Sequence, residues 1–201
     1  MPIGLKGNTD GSGAVQIGGS DAITISTGLN TTFAGTVTAS GGVLYPLTSG
    51  TAIASTSGTA LDFTGIPSWV KRITVMFNGV STNGTSPVQI QLGDAGGVET
   101  TGYTNAASWG GSGNTSYSTT GFSVLASGVM SASTSYSGVA IIVSLGSNTW
   151  CETGTMAPGS SLAASYSAGS KALSDTLTQV RITTVNGTDT FDAGSINILY
   201  E

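Results

Sequence analysis

Arg72-Ile73-Thr74-Val75-Met76-Phe77 puts Ile73, Val75 and Phe77 on one side of an extended chain. A period of two is the mark of a half-buried β-strand, whose successive side chains point to opposite faces. The same alternation recurs along the chain. In Pro87-Val88-Gln89-Ile90-Gln91-Leu92 the apolar Val88, Ile90 and Leu92 oppose Gln89 and Gln91. Val139, Ile141, Val143 and Leu145 form a third set and are expected to face the core, with Ile142 on the other side. Val180, Ile182 and Thr184 follow, then Ile196, Ile198 and Tyr200 against Ser195 and Asn197. Asn78-Gly79, Asn83-Gly84 and Asn186-Gly187 separate the runs, and Asn and Gly tolerate the positive φ that tight turns require. Many short strands with regular turn signals predict an antiparallel β-sandwich.

Helix is nearly excluded. Glycine enters almost every window, and Glu, Lys, Gln and Arg are scarce. The best helical candidate, Ser161 to Leu173, contains Gly169 and several serines that argue against it. Glycine (31), serine (29) and threonine (31) make up 91 of 201 residues, while only 15 are charged. The chain is nevertheless 38% hydrophobic with a mean hydropathy of +0.22. Disorder usually pairs low hydrophobicity with high net charge, so an ordered all-β chain with a hydroxyl-rich surface is expected.

The charge inventory excludes several functions. The chain contains no histidine, so imidazole can serve neither as base nor as ligand, and its single cysteine cannot form an intrachain disulfide. Five Lys and Arg against ten Asp and Glu leave a net charge of −5, too few cations for a nucleic-acid surface. No apolar run approaches the roughly 18 residues of a membrane span. Met1-Pro2-Ile3-Gly4-Leu5-Lys6 lacks the pattern of a secretion signal, so synthesis and assembly in a cytosol are expected.

Residues 1–45 read differently from 46–201. Ala14-Val15-Gln16-Ile17, Ala22-Ile23-Thr24-Ile25 and Thr32-Phe33-Ala34-Gly35-Thr36-Val37-Thr38 are very short strands with two or three apolar side chains each. That is too few to bury a core unaided. Three copies wound about one axis would bury Val15, Ile17, Ile23, Ile25, Phe33 and Val37 together, so an intertwined, docking stem is expected over 1–45. A flexible arm is the alternative. The composition shifts near Leu44-Tyr45-Pro46-Leu47, and the sandwich is expected over 46–201.

Three segments carry a resemblance. Ala22–Ile25 followed by Asn30–Thr38 resembles strand repeats of tailed-bacteriophage fibre and appendage proteins. The block from Leu61 through Gly65-Ile66-Pro67-Ser68-Trp69-Val70 to Val80 is similar to one recurring in small phage virion proteins, as is the closing Asp189–Glu201. Asp94 to Gln179 resembles nothing comparable. The resemblance implies a homotrimeric virion structural protein with a jelly-roll-like body and no catalytic residues. It implies partners that are copies of the chain and other proteins of the tail or capsid. A short tail fibre or appendage is the leading reading, and a capsid-decoration protein uses the same fold. A tip that binds host surface glycans is a third reading, through Tyr103, Trp109, Tyr117 and Phe122, because exposed aromatic rings stack on sugars. The competing reading places those four rings in the core or a trimer seam.

Other constellations carry little chemistry. A glycosidase needs two carboxylates, but Asp94, Glu99 and Glu152 lie in no recognisable motif. Asn8-Thr9-Asp10-Gly11-Ser12-Gly13 has half the pattern of a calcium loop and lacks its closing glutamate, so a turn is expected and no metal. Gly110-Gly111-Ser112-Gly113 lacks the lysine of a phosphate loop. Cys151 has no histidine to activate it, and a half-buried structural thiol is expected. Lys71-Arg72 is expected either to pair with Asp62 or an interface carboxylate, or to be solvated. Trp69 is expected to close one end of the sandwich. No cofactor is expected.

Overall fold

The computed structural model describes residues 45–110, 113–159 and 163–201, together with strand segments within 1–43. The chain divides into two compact units, Met1–Pro46 and Leu47–Glu201. In the first, β1 (Ile3–Gly7), β2 (Gly13–Ile17), β3 (Ser20–Ile25) and β4 (Thr31–Thr32) pair in sequence as an antiparallel meander. There β2 sets Val15 opposite both Leu5 and Ile23. A second hairpin joins β5 (Thr38–Ala39) and β6 (Gly42–Val43). Phe33, Val37 and the stretch 8–12 lie outside the described residues.

The second unit is all antiparallel β-structure, with no helix among the described residues. Its strands are β7 (Thr48–Ser49), β8 (Ile53–Ala54), β9 (Ala60–Thr64), β10 (Arg72–Thr82), β11 (Val88–Asp94), β12 (Gly97–Val98) and β13 (Tyr103–Trp109). There follow β14 (Thr115–Ser118), β15 (Phe122–Ser123), β16 (Tyr136–Gly146), β17 (Thr149–Pro158), β18 (Ser165–Ala172), β19 (Gln179–Thr184) and β20 (Phe191–Tyr200). The large sheet runs β14-β13-β18-β17-β16-β10-β20-β7, with β8 also on β20. The small sheet runs β12-β11-β19-β9, with β15 also on β11. Inward side chains of both, among them Ile73, Val75, Ile90, Leu92, Ile142, Ile182 and Ile196, form one buried core, as in a β-sandwich.

Four of the five alternating runs face as the sequence predicts, and one is inverted. In β16 the buried side chains are Tyr136, Ala140 and Ile142, while Val139, Val143 and Leu145 are exposed. The reason is register. Ile142 lies directly opposite Ile73 of β10, and Ala140 opposite Val75. Directly paired residues share a face. Because Ile73 and Val75 point inward, Ala140 and Ile142 must as well. The candidate helix is also strand: Ser165–Ala172 pairs with β17 and β13 along its length.

The turn signals divide by role. Asn83-Gly84 and Asn186-Gly187 lie in loops, but each loop carries the chain between sheets rather than closing a hairpin. Asn78-Gly79 lies inside β10, where the register with both neighbours shifts. The tight hairpin is Ser147-Asn148, with φ of 48° and 57°, between β16 and β17. Gly65, at φ 74°, turns the chain after β9, and Trp69 then packs against the core with its ring 6.1 Å from that of Tyr200.

At the irregularity in β10, Gly194 adopts φ 93°, and a Cβ there would lie 2.5 Å from the Gly79 backbone. Gly187 has φ 69° with open space around it. Gly187→Ala should therefore cost only the left-handed backbone term, about 1 kcal/mol. Gly194→Ala adds a backbone clash and should cost roughly 3 kcal/mol. Urea unfolding of the two variants checks the order.

Candidate association surface

The two outer faces of the sandwich differ in chemistry. Across the small sheet, Gln91, Arg181 and Asp62 form one outward row. Arg181 donates from Nε and Nη2 to the two Asp62 oxygens at 2.7 and 2.8 Å, a fork-shaped pairing. Asp62 therefore pairs with Arg181, while Arg72 pairs with Glu201. Gln89 and Thr183 lie opposite each other in the next row, where both are buried, as is Gln91, and Thr120 bonds to both glutamines.

The outward face of the large sheet is different. Register aligns Met76, Val139, Thr155 and Tyr166 in one row, and Ile141, Thr153, Ala168, Ala106 and Tyr117 in the next. Val143 and Cys151 are neighbours in a third. Leu145 is 76% exposed, Tyr117 68%, Tyr166 56%, Val143 43% and Val139 42%. β13, β16, β17 and β18 contribute no charged side chain to this face: Glu152 and Lys171, the charged residues of these strands, are buried. Exposed Thr153 and Thr155 of β17 lie between the apolar side chains of β16 and β18, so the face combines exposed aliphatic and aromatic groups with hydroxyls and is poor in charge, a composition suited to association. Cys151 lies here as an exposed thiol, not the half-buried one expected.

The four aromatics singled out in the sequence are not brought together. Tyr103 and Phe122 are core residues with ring centroids 5.0 Å apart in an edge-to-face pair. The Tyr103 hydroxyl accepts from the Leu92 N–H at 2.7 Å and donates to the Glu99 carbonyl at 3.0 Å. Burial pushes its ionisation far above the ordinary phenol range. Neither ring can meet a sugar. Trp109 is half-buried at the end of β13, and Tyr117 is exposed on β14.

The three central carboxylates have separate roles. Ser174 links Asp94 and Glu99: its Oγ donates to Asp94 at 2.7 Å, and its N–H donates to Glu99 at 2.7 Å. Glu99 pairs with buried Lys171, whose Nζ lies 5.3 Å from the Tyr103 ring centre. Hydrogen bonds from Ser174 and the Gly96 N–H hold Asp94 below its usual range. For Glu99, burial opposes ionisation, but Lys171 and Ser174 outweigh it and its pKa is lowered. These contacts fasten one end of the sandwich. No group of three metal-ligating side chains occurs among the described residues.

Glu152 lies inside the sandwich without a cation. It accepts from Ser167 Oγ at 2.7 Å, and Asn105 Nδ2 lies 3.5 Å from its other oxygen. Gly154 leaves room for it, since a Cβ there would sit 2.8 Å from Oε1. Desolvation raises its pKa to about 7, against the favourable Ser167 bond. Alternation in β17 places Glu152 inward beside Trp150 and Met156; its acidic chemistry gave no such signal in the sequence.

Comparison with protein families, with curated proteins and with solved structures finds no match for this chain.

Between about pH 4.5 and 7 the folded chain holds a proton on Glu152 that the unfolded chain has released. Stability therefore falls as pH rises through that window and levels off above it, by roughly 3 kcal/mol in all. Asp94 and Glu99 act in the opposite sense, and only at lower pH, where their protonation removes stability. Glu152→Gln should flatten the slope between pH 5 and 8 and raise stability at pH 8 by roughly 2 kcal/mol. Denaturant titrations at several pH values measure both.

Proposed function

We propose that the chain is a non-enzymatic structural protein of a tailed-phage virion, acting as a homotrimer in a short tail fibre or appendage. The observation that carries this reading is the apolar, charge-poor outward face of the large sheet. Five strands at about 4.8 Å spacing and roughly eight residues long present about 650 Å², close to the ~800 Å² per partner of a standard interface. Copies with a net charge of −5 repel one another in general, and this face is where they can meet without opposed carboxylates. The resemblance at 22–38, 61–80 and 189–201 supports the virion assignment. The sandwich suits a jelly-roll-like projecting body.

The leading unit supports the same arrangement. A small four-stranded sheet needs a second apolar layer to be stable. Three copies wound about one axis would supply it by packing their β1–β4 sheets on one another. The stem then docks on another virion protein.

Light scattering on the purified chain should give a mass three times 19.8 kDa. Val143→Asp combined with Leu145→Asp should weaken association at least tenfold without unfolding the sandwich. A monomer at all concentrations would overturn the trimer. Deleting residues 1–45 should abolish incorporation into particles while far-UV circular dichroism still reports folded β-structure. Mass spectrometry of purified tails and capsids should find the full-length chain in tails, and its absence from particles would overturn the virion reading.

A further inference from the structure

Three Asn-Gly steps occur in the chain, at Asn78-Gly79, Asn83-Gly84 and Asn186-Gly187. Such a step is chemically labile, because glycine has no side chain to keep its nitrogen from reaching the preceding amide carbon. The attack needs a glycine N–H that is free to give up its proton. The fold treats the three nitrogens differently.

The Gly79 N–H donates to Ser137 Oγ at 2.9 Å, and Asn78 lies in β10 between β16 and β20. The Gly187 N–H donates to the Thr184 carbonyl at 3.0 Å. Asn186 is also held at both ends of its amide: Oδ1 accepts from Thr184 Oγ1 at 2.8 Å, and Nδ2 donates to Asp189 at 2.7 Å. Asn83-Gly84 is the exception. It lies in the loop from β10 to β11 with Asn83 exposed. Among the described residues neither the Gly84 N–H nor Asn83 Nδ2 has a hydrogen-bond partner. The Thr190 N–H donates to Asn83 Oδ1 at 2.9 Å, the oxygen on which negative charge develops when the amide carbon is attacked. A Cβ on Gly84 would run into the Asp189 carboxylate, which the Ser86 N–H and Asn186 hold in place. The fold therefore requires the glycine that makes this step labile.

We infer that Asn83 is a site of spontaneous deamidation in the folded protein, with water as co-reactant, and that Asn78 and Asn186 are protected. The Gly84 nitrogen loses its proton to solvent hydroxide and attacks Asn83 Cγ. The N–Cγ bond forms, the Cγ–Nδ2 bond breaks and ammonia leaves, giving a succinimide. Water then opens the ring at either carbonyl to aspartate or isoaspartate, and nothing is oxidised or reduced. Each event adds one negative charge to a chain of net charge −5. The isoaspartate product also lengthens the backbone where the Asn83 N–H donates to the Thr190 carbonyl at 2.9 Å. The inference does not depend on the oligomeric state.

Incubation of the full-length protein in mildly alkaline buffer, followed by peptide mapping with mass spectrometry, tests it. The acid should accumulate at Asn83 at least tenfold faster than at Asn78 or Asn186, with isoaspartate among the products. In guanidinium chloride, where the fold is lost, the three steps should react within about threefold of one another. Asn83→Gln should delay the first acidic species on ion exchange at least tenfold, since glutamine must close a larger ring. Equal rates at the three steps in the folded protein, or no reaction at Asn83, would overturn the inference. So would a tenfold preference for Asn83 that survives unfolding, or an early acidic species that persists in Asn83→Gln.

Discussion

The pairing of β10 with β16 on one side and β20 on the other is the constraint on which the second unit rests. Ile73, Val75 and Phe77 must be buried, and they lie opposite Tyr200, Ile198 and Ile196 in β20. Once that face is fixed, every residue opposite it in β16 is assigned as well, down to Ala140 against Val75. A slip of one residue would turn the whole β16 set over. From β16 the assignment passes through register to β17, β18 and β13. Two consequences follow: a row of aliphatic side chains reaches solvent, and a carboxyl group is buried between the sheets.

Those consequences illustrate how the fold distributes polarity. The small sheet carries the Arg181–Asp62 fork on its outer side, with its two glutamines buried against Thr120. The large sheet places its acid inside, where Glu152 meets Ser167 and Asn105, and leaves valine, leucine and tyrosine outside. Burying an uncompensated carboxylate is costly enough that the group takes up a proton instead. The glycines beside it are part of the same arrangement: Gly154 clears space for the carboxyl, and Gly169 allows Asn105 to approach from the next strand but one.

Much of the architecture was legible in residue order, for reasons that also explain the misses. Alternation in β10, β11, β19 and β20 identified the inward sets because polar residues occupy the other side. In β16 both sides are apolar, with Val139, Ile141 and Val143 alternating with Ala140 and Ile142, so periodicity had no contrast and only pairing could decide. Asn78-Gly79 has the chemistry of a turn but serves as an irregularity in a long strand, and Ser147-Asn148, a less emphatic signal, makes the real hairpin. Aromatic content near Tyr103–Phe122 suggested an exposed cluster because few other large apolar residues surround it in sequence. Tyr103 and Phe122 instead pack edge-to-face on each other inside the core, and local composition carries no information about which face of a strand a ring takes.

Both margins of the large sheet are formed by short strands. It ends on one side in β14, four residues long, and on the other in β7 and β8, two residues each. Stubs of that length offer a few backbone groups to a passing chain, too few to nucleate lateral growth. Blunted rims of this kind disfavour edge-to-edge growth into fibrils, whatever the broad side meets. A chain built almost wholly of hydroxyl-rich strands thus leaves few unpaired backbone groups at the ends of its large sheet.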